Sequence, residues 1–244
     1  MQGNISISVI TVCYNAASEL RHTLHSVASQ TYPHIQYIVV DGASTDDTLQ
    51  LLEQYQDSID VLISEPDNGI YDAMNKGIKV ATSDYLCFMN AGDTFHSPDT
   101  LSEVFAQIEG TLPDVIYGET NIVDEERQLL RPRRLKAPKQ LSYRSFLKGM
   151  VVCHQSFYPR RALVTYYDLQ YRFSSDFDWC LNILAHAEHT YNSGLILTDY
   201  LSEGATTKNH RASLKERFHI MVHHYGWVKT LLAHFYFVCR SLVK

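Results

Sequence analysis

Residues 65–78 read Glu-Pro-Asp-Asn-Gly-Ile-Tyr-Asp-Ala-Met-Asn-Lys-Gly-Ile, and residues 88–93 read Phe-Met-Asn-Ala-Gly-Asp. The first stretch places turn residues before apolar residues at helical spacing, so it predicts a turn and then an amphipathic helix from about Tyr71. The second stretch closes an apolar run that begins at Tyr85, and it predicts a buried strand that leads to Asp93. This order of elements is typical of an α/β protein with a parallel sheet.

The rest of the first 100 residues continues this alternation. Apolar runs predict strands at 7–12, 35–40, 61–64 and 85–89, and helical spacing predicts a helix at 18–30. Strands that alternate with helices imply a mainly parallel sheet, and open α/β sheets bind ligands at the carboxyl ends of their strands. After residue 110 the pattern is weaker. There we predict strands at 115–118 and 151–158, a loop at 131–139, a helix at 176–187 and a helical tail at 213–244.

Asp41 stands at the end of the second predicted strand and is followed by Gly42, Ala43 and Ser44. A turn of small residues lets a ligand approach the backbone, and a carboxylate there can accept a hydrogen bond from a nucleotide base. The alternative is that Asp41 caps the next helix. For that helix we predict Ser44 as the N-cap, with two aspartates in the first turn.

Asp93 follows the fourth predicted strand, after Asn90, Ala91 and Gly92. A carboxylate beside an amide oxygen is a partial shell for Mg²⁺, which takes one or two carboxylates and lets substrate phosphates complete the site. The alternative is an ordinary turn, in which Asn, Gly and Asp are common residues.

Two further acids, Asp176 and Asp178, lie at the start of a predicted helix after Ser174 and Ser175. A carboxylate that faces a cleft from this position can act as a general base toward a sugar hydroxyl. The alternative is that both acids only favour the helix dipole. His154 lies within an apolar run, where a hydrogen-bonded core histidine is the more common outcome.

Composition excludes several classes of protein. The chain has 244 residues, of which 45% are hydrophobic and 20% charged, as expected for one globular domain. Its five cysteines are scattered without a Cys-x-x-Cys pair, which argues against a disulfide scaffold or a zinc site. Dinucleotide-binding Gly-x-Gly-x-x-Gly, phosphate-loop Gly-Lys-Ser/Thr and hydrolase Gly-x-Ser-x-Gly motifs are absent from the sequence.

Charge is distributed unevenly. Residues 1–130 carry 4 Lys/Arg against 20 Asp/Glu, whereas residues 131–244 carry 17 against 7. A basic half is attracted to phosphate groups or to an anionic membrane surface, although a solvated basic face is the simpler interpretation for any single residue. The first residues lack the features of a signal peptide, and no run of about 18 apolar residues occurs. We therefore expect a cytoplasmic protein, with peripheral contact to the inner face of the membrane as a hypothesis.

Several motifs in order resemble those of family 2 glycosyltransferases with the GT-A fold. Thr11-Val-Cys-Tyr-Asn15 is similar to the opening strand and loop of the family, and Val39-Val-Asp-Gly-Ala-Ser-Thr-Asp46 is similar to its nucleotide-binding acid loop. The stretch at 65–77 resembles a branch that builds colanic-acid-like, capsular and O-antigen polysaccharides in bacteria. The resemblance covers residues 7–207.

The resemblance implies inverting transfer of one sugar from a nucleotide-diphosphate donor, most simply a UDP-sugar, to a hydroxyl of a lipid-linked saccharide. It implies Asp176 as the catalytic base and Asp93 as the ligand of Mg²⁺ or Mn²⁺. The residues implied in nucleotide binding are Tyr14, Asn15, Asp41, Ser44, Asn75 and Lys76. Those implied in donor or acceptor binding are Asn90, Gly92, His154, Gln155 and Asp178.

Departures from the family pattern leave a second function open. Asn90 replaces the usual first acid of the metal motif, and Gly92 occupies its third position. A catalytically impaired protein that binds nucleotide sugars, or acts as a scaffold, is therefore the alternative. A sugar nucleotidyltransferase is less consistent, because residues 11–17 contain no Gly-rich basic loop, and a pure interaction domain would not gather the acids in one cleft. We expect no nucleic-acid partner.

The predicted organisation is a GT-A domain at 1–207 and a C-terminal helical extension at 208–244. Within the domain, residues 1–110 form the nucleotide-binding half and residues 111–207 the acceptor half.

Overall fold

A computed structural model describes residues 5–202 and 210–242. A four-stranded parallel sheet occupies the first part of the chain, in the order β3-β2-β1-β4. Its strands are β1 (Ile7–Cys13), β2 (Ile35–Asp41), β3 (Val61–Ser64) and β4 (Tyr85–Phe88). The helices that alternate with them are α1 (Ala17–Ala28), α2 (Thr48–Glu53) and α3 (Ile70–Val80). The predicted α/β class with a mainly parallel sheet is confirmed.

The sheet is buried on both faces because successive side chains of a strand point in opposite directions. In β1, Ile10 and Val12 belong to the core on the α3 side, whereas Ile7 and Val9 belong to the core on the α1 side. Helix α3 lies so close to β1 that a Cβ on Gly77 would come within 2.5 Å of Ile10 Cγ2. A glycine at this position therefore permits the packing of helix on sheet.

A second, mixed sheet follows. Strand β6 (Val115–Val123) pairs in parallel with the long β9 (Thr190–Leu201), with breaks in register near Glu119. Shorter strands complete this sheet: β5 (Thr94–Phe95), β7 (Leu129–Pro132) and β8 (Phe157–Pro159). Helix α4 (Thr100–Ala106) precedes β6. Four 3₁₀ turns are present in the described residues: Gln56–Ser58, Tyr143–Lys148, His154–Ser156 and Arg161–Leu163.

Two further helices follow in the second part of the chain. Helix α5 is Ser175–Leu184, and helix α6 is His210–Leu242 with a break at Gly226, whose φ is 79°. Helix α6 packs against α5 and against the Tyr143–Lys148 turn. In the ranges 5–202 and 210–242, none of the helices has both the length and the apolarity to cross a membrane. The division into a domain and an extension stays a prediction.

Three local predictions are wrong. The apolar run at 151–158 is not one strand, because it folds as a loop and the His154–Ser156 turn before β8. Ser44 is not the cap of α2, which begins at Thr48 with Asp47 at its N-cap. The segment at 131–139 is partly strand, since β7 extends to Pro132. Strand β9 was not predicted, because its partner β6 lies some 75 residues earlier in the chain.

Candidate active site

A cavity of about 730 Å³ opens at the carboxyl ends of the parallel strands. This is the edge at which open α/β sheets bind ligands. Its wall combines the loops after β1 and β4, the start of α3, the His154–Ser156 turn, the start of α5 and one residue of α6. The predicted site residues that line the cavity are Tyr14, Asn90, Asp93, His154, Gln155 and Asp176.

Asp41 lies beneath the cavity wall and is fully buried. Its carboxylate accepts hydrogen bonds from the Ser44 amide (3.1 Å), the Ser44 hydroxyl and the Ser64 hydroxyl (2.7 Å). The loop after β1 joins this network, because the Asn15 amide donates to Ser44 Oγ (2.8 Å) and the Thr45 amide donates to Asn15 Oδ1 (2.8 Å). Asp41, Ser44 and Asn15 thus bind one another and shape the floor of the cavity from outside its lining.

The exposed edge of this floor is formed by Tyr14 and Asp67, which both line the cavity. A Cβ on Gly42 would lie 2.5 Å from Asp67 Oδ2 and 3.3 Å from the Tyr14 ring. The absence of a side chain at Gly42 therefore lets an acid and an aromatic ring approach the same backbone. The ring of Tyr14 is 62% exposed, so it can stack on a flat ligand. Asp67 had no assigned role in the sequence analysis.

Asp93 is buried in the wall opposite this floor. Gln155 Nε2 donates to one carboxylate oxygen (2.7 Å), and the Leu201 amide donates to the other (3.1 Å). Burial raises the pKa of Asp93 to about 6, although these two hydrogen bonds and the charges of His154 and Arg127 favour the charged form. At neutral pH the carboxylate is therefore mostly ionised, but it titrates within the range of ordinary buffers.

Asn90 supplies a second oxygen donor to the cavity. Its Oδ1 is buried and has no hydrogen-bond partner among the described residues, whereas its Nδ2 lies 3.5 Å from His154 Nε2. An unpaired buried acceptor is rare, and here it remains available to an ion or to a hydrogen-bond donor of a ligand. A carboxylate and an amide oxygen fit Mg²⁺ or Mn²⁺, although no group of three His, Cys, Asp or Glu able to hold a metal occurs in the described residues. Such an ion would depend on ligands from a bound phosphate.

Gly92 lies in the turn between these two residues and outside the lining of the cavity. Its φ is 101°, a conformation that favours glycine, and its amide donates to Thr23 Oγ1 (3.0 Å). Gly92 thus orients the turn and presents no side chain to a ligand.

Asp176 stands in the first turn of α5 and is held by two side chains from other elements. The Tyr71 hydroxyl donates to Oδ1 (3.2 Å), and His154 Nδ1 lies 3.6 Å from Oδ2. Burial acts to raise the pKa of Asp176, but the approach of His154 and the charge of Arg217 outweigh it and hold the pKa below its ordinary value. The group is therefore a carboxylate at neutral pH and can accept a proton.

Besides Asn15, Asp41, Ser44 and Gly92, three further predicted binding residues lie outside the lining of the cavity. The amide of Asn75 bonds the backbone of Tyr167 (2.9 and 2.7 Å), and Lys76 pairs with Glu65 (2.9 Å). Asp178 is buried on the side of α5 that faces away from the cavity. There its oxygens accept hydrogen bonds from His224 Nε2 (2.7 Å) and Asn182 Nδ2 (2.8 Å). Protein partners occupy all three side chains, so the geometry favours a structural role for each.

Six basic or aromatic lining residues were not anticipated: Tyr71, Arg133, Arg172, Phe173, Tyr200 and Arg217. Tyr71 lies within the quoted stretch at 65–78, but there it was used only to mark the start of the predicted helix. The basic excess after residue 130 was the available signal for the arginines. It did not say which of the 17 Lys and Arg of that half face the cavity.

Comparison with known proteins identifies the family of the chain. Residues 8–166 match the family described as "Glycosyl transferase family 2". A PGL/p-HBAD biosynthesis glycosyltransferase of Mycobacterium tuberculosis (strain ATCC 25177 / H37Ra) is 31% identical over 179 residues, which cover 70% of this chain and 67% of that protein. TuaG of Bacillus subtilis (strain 168), a glycosyltransferase assigned to teichuronic acid biosynthesis, is 30% identical over 60% of this chain and 58% of its own length.

The fold has a solved counterpart. The structure of S. aureus TarS 1-349 in complex with UDP-GlcNAc superposes with a TM-score of 0.74 at 20% identity, and the match covers 89% of this chain and 64% of that one. At this identity the likeness concerns the fold, which is the predicted GT-A arrangement. Because the family match spans well over half of the sequence, the chain belongs to glycosyl transferase family 2.

Proposed function

We propose that this glycosyltransferase moves one sugar, with inversion, from a UDP-sugar to a hydroxyl of a lipid-linked saccharide in bacterial surface polysaccharide synthesis. The observation that carries the proposal is the placement of Asp176. It is an ionised carboxylate in the wall of the cavity at the sheet edge, and Tyr71 and His154 hold it from two other elements. The assignment of TuaG to teichuronic acid biosynthesis supports a surface polymer as the product.

The donor occupies the side of the cavity formed by the parallel sheet. Tyr14 and Asp67 offer a stacking face and a hydrogen-bond acceptor to the base, and Asp41 keeps the loop beneath them in shape. The UDP-GlcNAc complex of the TarS structure supports a nucleotide sugar, and most simply a UDP-sugar, as the donor. Asn15 and Ser44 contribute through the loop contacts described above.

Asp176 acts as the general base. It takes the proton of the acceptor hydroxyl while that oxygen forms a bond to the anomeric carbon, and the bond between this carbon and the diphosphate oxygen breaks with its electron pair. Because nucleophile and leaving group are on opposite faces of the carbon, one displacement inverts its configuration. A positioned base of this kind contributes roughly 10²–10⁴-fold to the rate. Tyr71 and His154 orient the carboxylate for this transfer.

The diphosphate leaves toward Asn90 and Asp93. These two residues would hold Mg²⁺ or Mn²⁺ together with the diphosphate, and the bound ion would neutralise the charge on the leaving group. Gln155 keeps the Asp93 carboxylate in place through its 2.7 Å hydrogen bond. Protonation of Asp93 below about pH 6 opposes cation binding, so metal affinity falls in acid.

Peripheral membrane contact is part of the proposal and rests on α6 after Gly226. Trp227, Leu231 and Phe235 share a helix face and are 62%, 55% and 70% exposed, whereas Thr230 and Ala233 of the opposite face are buried. The basic excess of residues 131–244 complements an anionic leaflet, where each nearby Lys or Arg contributes about 1 kcal/mol. We expect flotation with phosphatidylglycerol vesicles at low salt. Serine at positions 227, 231 and 235 should abolish it, and unchanged flotation of that variant would refute this contact.

Thermal stabilisation by UDP, GDP, CMP and TDP, each with and without Mn²⁺, tests the donor and the metal together. We expect UDP with Mn²⁺ to raise the Tm by about 5–10 °C at about 100 times its Kd. Stabilisation without any metal effect, and without sugar transfer, would instead favour the impaired nucleotide-sugar-binding protein. The absence of any response would contradict both functions.

A further inference from the structure

Hydrogen bonds join helix α6 to the segment directly before helix α5, which carries Asp176. The carboxylate of Glu216 accepts hydrogen bonds from the backbone amides of Arg172 (2.9 Å) and Phe173 (2.8 Å). One turn earlier, Ser213 Oγ lies 2.8 Å from Ser174 Oγ. Because these bonds join the two chain segments directly before Asp176 and Arg217, they place a residue of α6 in the wall of the cavity.

Arg217 is that residue. It is half-buried and lines the cavity, and its Nε is buried without a hydrogen-bond partner in the part of the chain that the structure describes. Leaving a buried guanidinium N–H unpaired costs free energy, so an anion in the cavity would satisfy it. Arg172 lines the same wall and is exposed, with its guanidinium carbon 5.8 Å from the centre of the Phe173 ring. The ion pairs between described residues include neither arginine.

Two anions could bind Arg217 in the proposed reaction: the diphosphate of the donor and a phosphate carried by the acceptor. The position of Arg217 distinguishes between them. In an in-line displacement the base lies on the side of the incoming hydroxyl, and the leaving diphosphate lies on the opposite side. Glu216, the residue before Arg217, bonds to the backbone amides of Arg172 and Phe173 just before Asp176, and the charge of Arg217 helps to lower the pKa of Asp176. Asp93 is held instead by Gln155 and by the Leu201 amide. Arg217 therefore belongs with the base and the acceptor.

We infer that Arg217, with Arg172 beside it, forms a subsite for a phosphate group carried by the acceptor. The planar guanidinium suits phosphate because it presents parallel N–H donors to two oxygens. In the proposed reaction this phosphate is the one that joins the acceptor saccharide to its lipid, so the inference rests on the proposed function. It adds a recognition element from α6 that would distinguish phosphate-linked acceptors from free saccharides.

The subsite is tested by isothermal titration calorimetry. Octyl phosphate is titrated into the full chain, with and without saturating UDP. The variants are Arg217→Gln, Arg217→Lys and the control Lys215→Gln, which removes one charge from an exposed position of the same helix. Octyl glucoside is the uncharged control ligand. We expect Arg217→Gln to weaken octyl phosphate binding about 10-fold or more, Arg217→Lys to weaken it less, and Lys215→Gln to match the wild type.

The same variants are titrated with UDP and Mn²⁺. Unchanged UDP affinity together with lost octyl phosphate affinity supports an acceptor subsite. A loss of UDP affinity in Arg217→Gln would assign the arginine to the donor diphosphate and overturn the inference, as would octyl phosphate binding that does not depend on Arg217. Failure of the wild type to bind UDP would contradict the proposed function, and the octyl phosphate series would still report separately on the subsite. A Tm measurement for each variant verifies that it is folded.

Discussion

Asp41 is buried and Asp176 is partly buried near the same edge of the molecule, and their surroundings differ. The oxygens of Asp41 accept three hydrogen bonds from its own loop and from the end of β3. Asp176 has one hydroxyl donor and one nearby imidazole, and it faces the cavity. A carboxylate whose acceptor sites are filled by the protein stabilises the fold, whereas one that is only partly satisfied remains available to a substrate.

The same contrast applies to two parts of the site. The loops of the parallel sheet satisfy one another, as Asn15 and Ser44 do. Around the base, Asn90 Oδ1 and Arg217 Nε are buried without partners among the described residues. The loops after β1 and β2 thus provide a preformed floor, whereas Asn90 and Arg217 bring unpaired polar atoms to the lining of the cavity.

The largest expected effect is on catalysis. Asp176→Asn removes the proton acceptor, so the transfer rate should fall about 10²–10⁴-fold while UDP still stabilises the protein. Asp178→Asn is the matched control, because it changes the same helix two residues away but faces His224. It should lower the Tm and leave kcat within about threefold. Equal transfer rates for Asp176→Asn and the wild type would refute the assignment.

Asp41→Ala tests the structural side of the comparison. The substitution leaves three donors of Ser44 and Ser64 without an acceptor, so the free energy of unfolding should fall by about 2–4 kcal/mol in urea denaturation. Ser64→Ala, which removes only one of the three donors, should cost about 1 kcal/mol. Full stability of Asp41→Ala with loss of UDP binding would show that Asp41 contacts the nucleotide directly.

Asp93 is expected to give stability an unusual dependence on pH. Its pKa of about 6 in the folded chain lies above the ordinary value of 3.8, so the folded state binds the proton more tightly than the unfolded state. The stabilisation of the folded state by protonated Asp93 is present below pH 4 and is lost as the pH rises through the folded pKa of about 6. The stability of the wild type relative to Asp93→Asn should therefore decrease by about 2–3 kcal/mol between pH 4 and pH 7. A difference that is constant over this range would contradict the buried acid.

The smallest expected effect concerns backbone strain in the floor. Ala43 has a φ of 61°, in the left-handed region that disfavours side chains with a Cβ. Ala43→Gly should raise the free energy of unfolding by about 0.5–1 kcal/mol, because relief of strain exceeds the entropic cost of glycine. Ala106→Gly, in the regular helix α4, should lower it by a similar amount. Destabilisation by both substitutions would show that the loop tolerates Ala43 without strain.

Local patterns in the sequence determined much of the first half. Each apolar run or helical repeat there lies within a segment of about fifteen residues or fewer, so it can be identified from local sequence. The bounds of β1 to β4, α1 and α3 were mostly predicted to within one or two residues. The acids that follow β2 and β4 were also identified, since strand ends mark the ligand edge of such a sheet.

Only the tertiary structure decided the second half of the site. Strand β9 pairs with β6 across some 75 residues, and Arg217 reaches the cavity because Glu216 bonds to the backbone 44 and 43 residues earlier. Asp176 and Asp178 show the limit most directly. Two residues apart on a helix, they point about 160° away from each other, so one faces the cavity and the other cannot. The sequence identified the pair, and the packing of α5 against α6 selected Asp176.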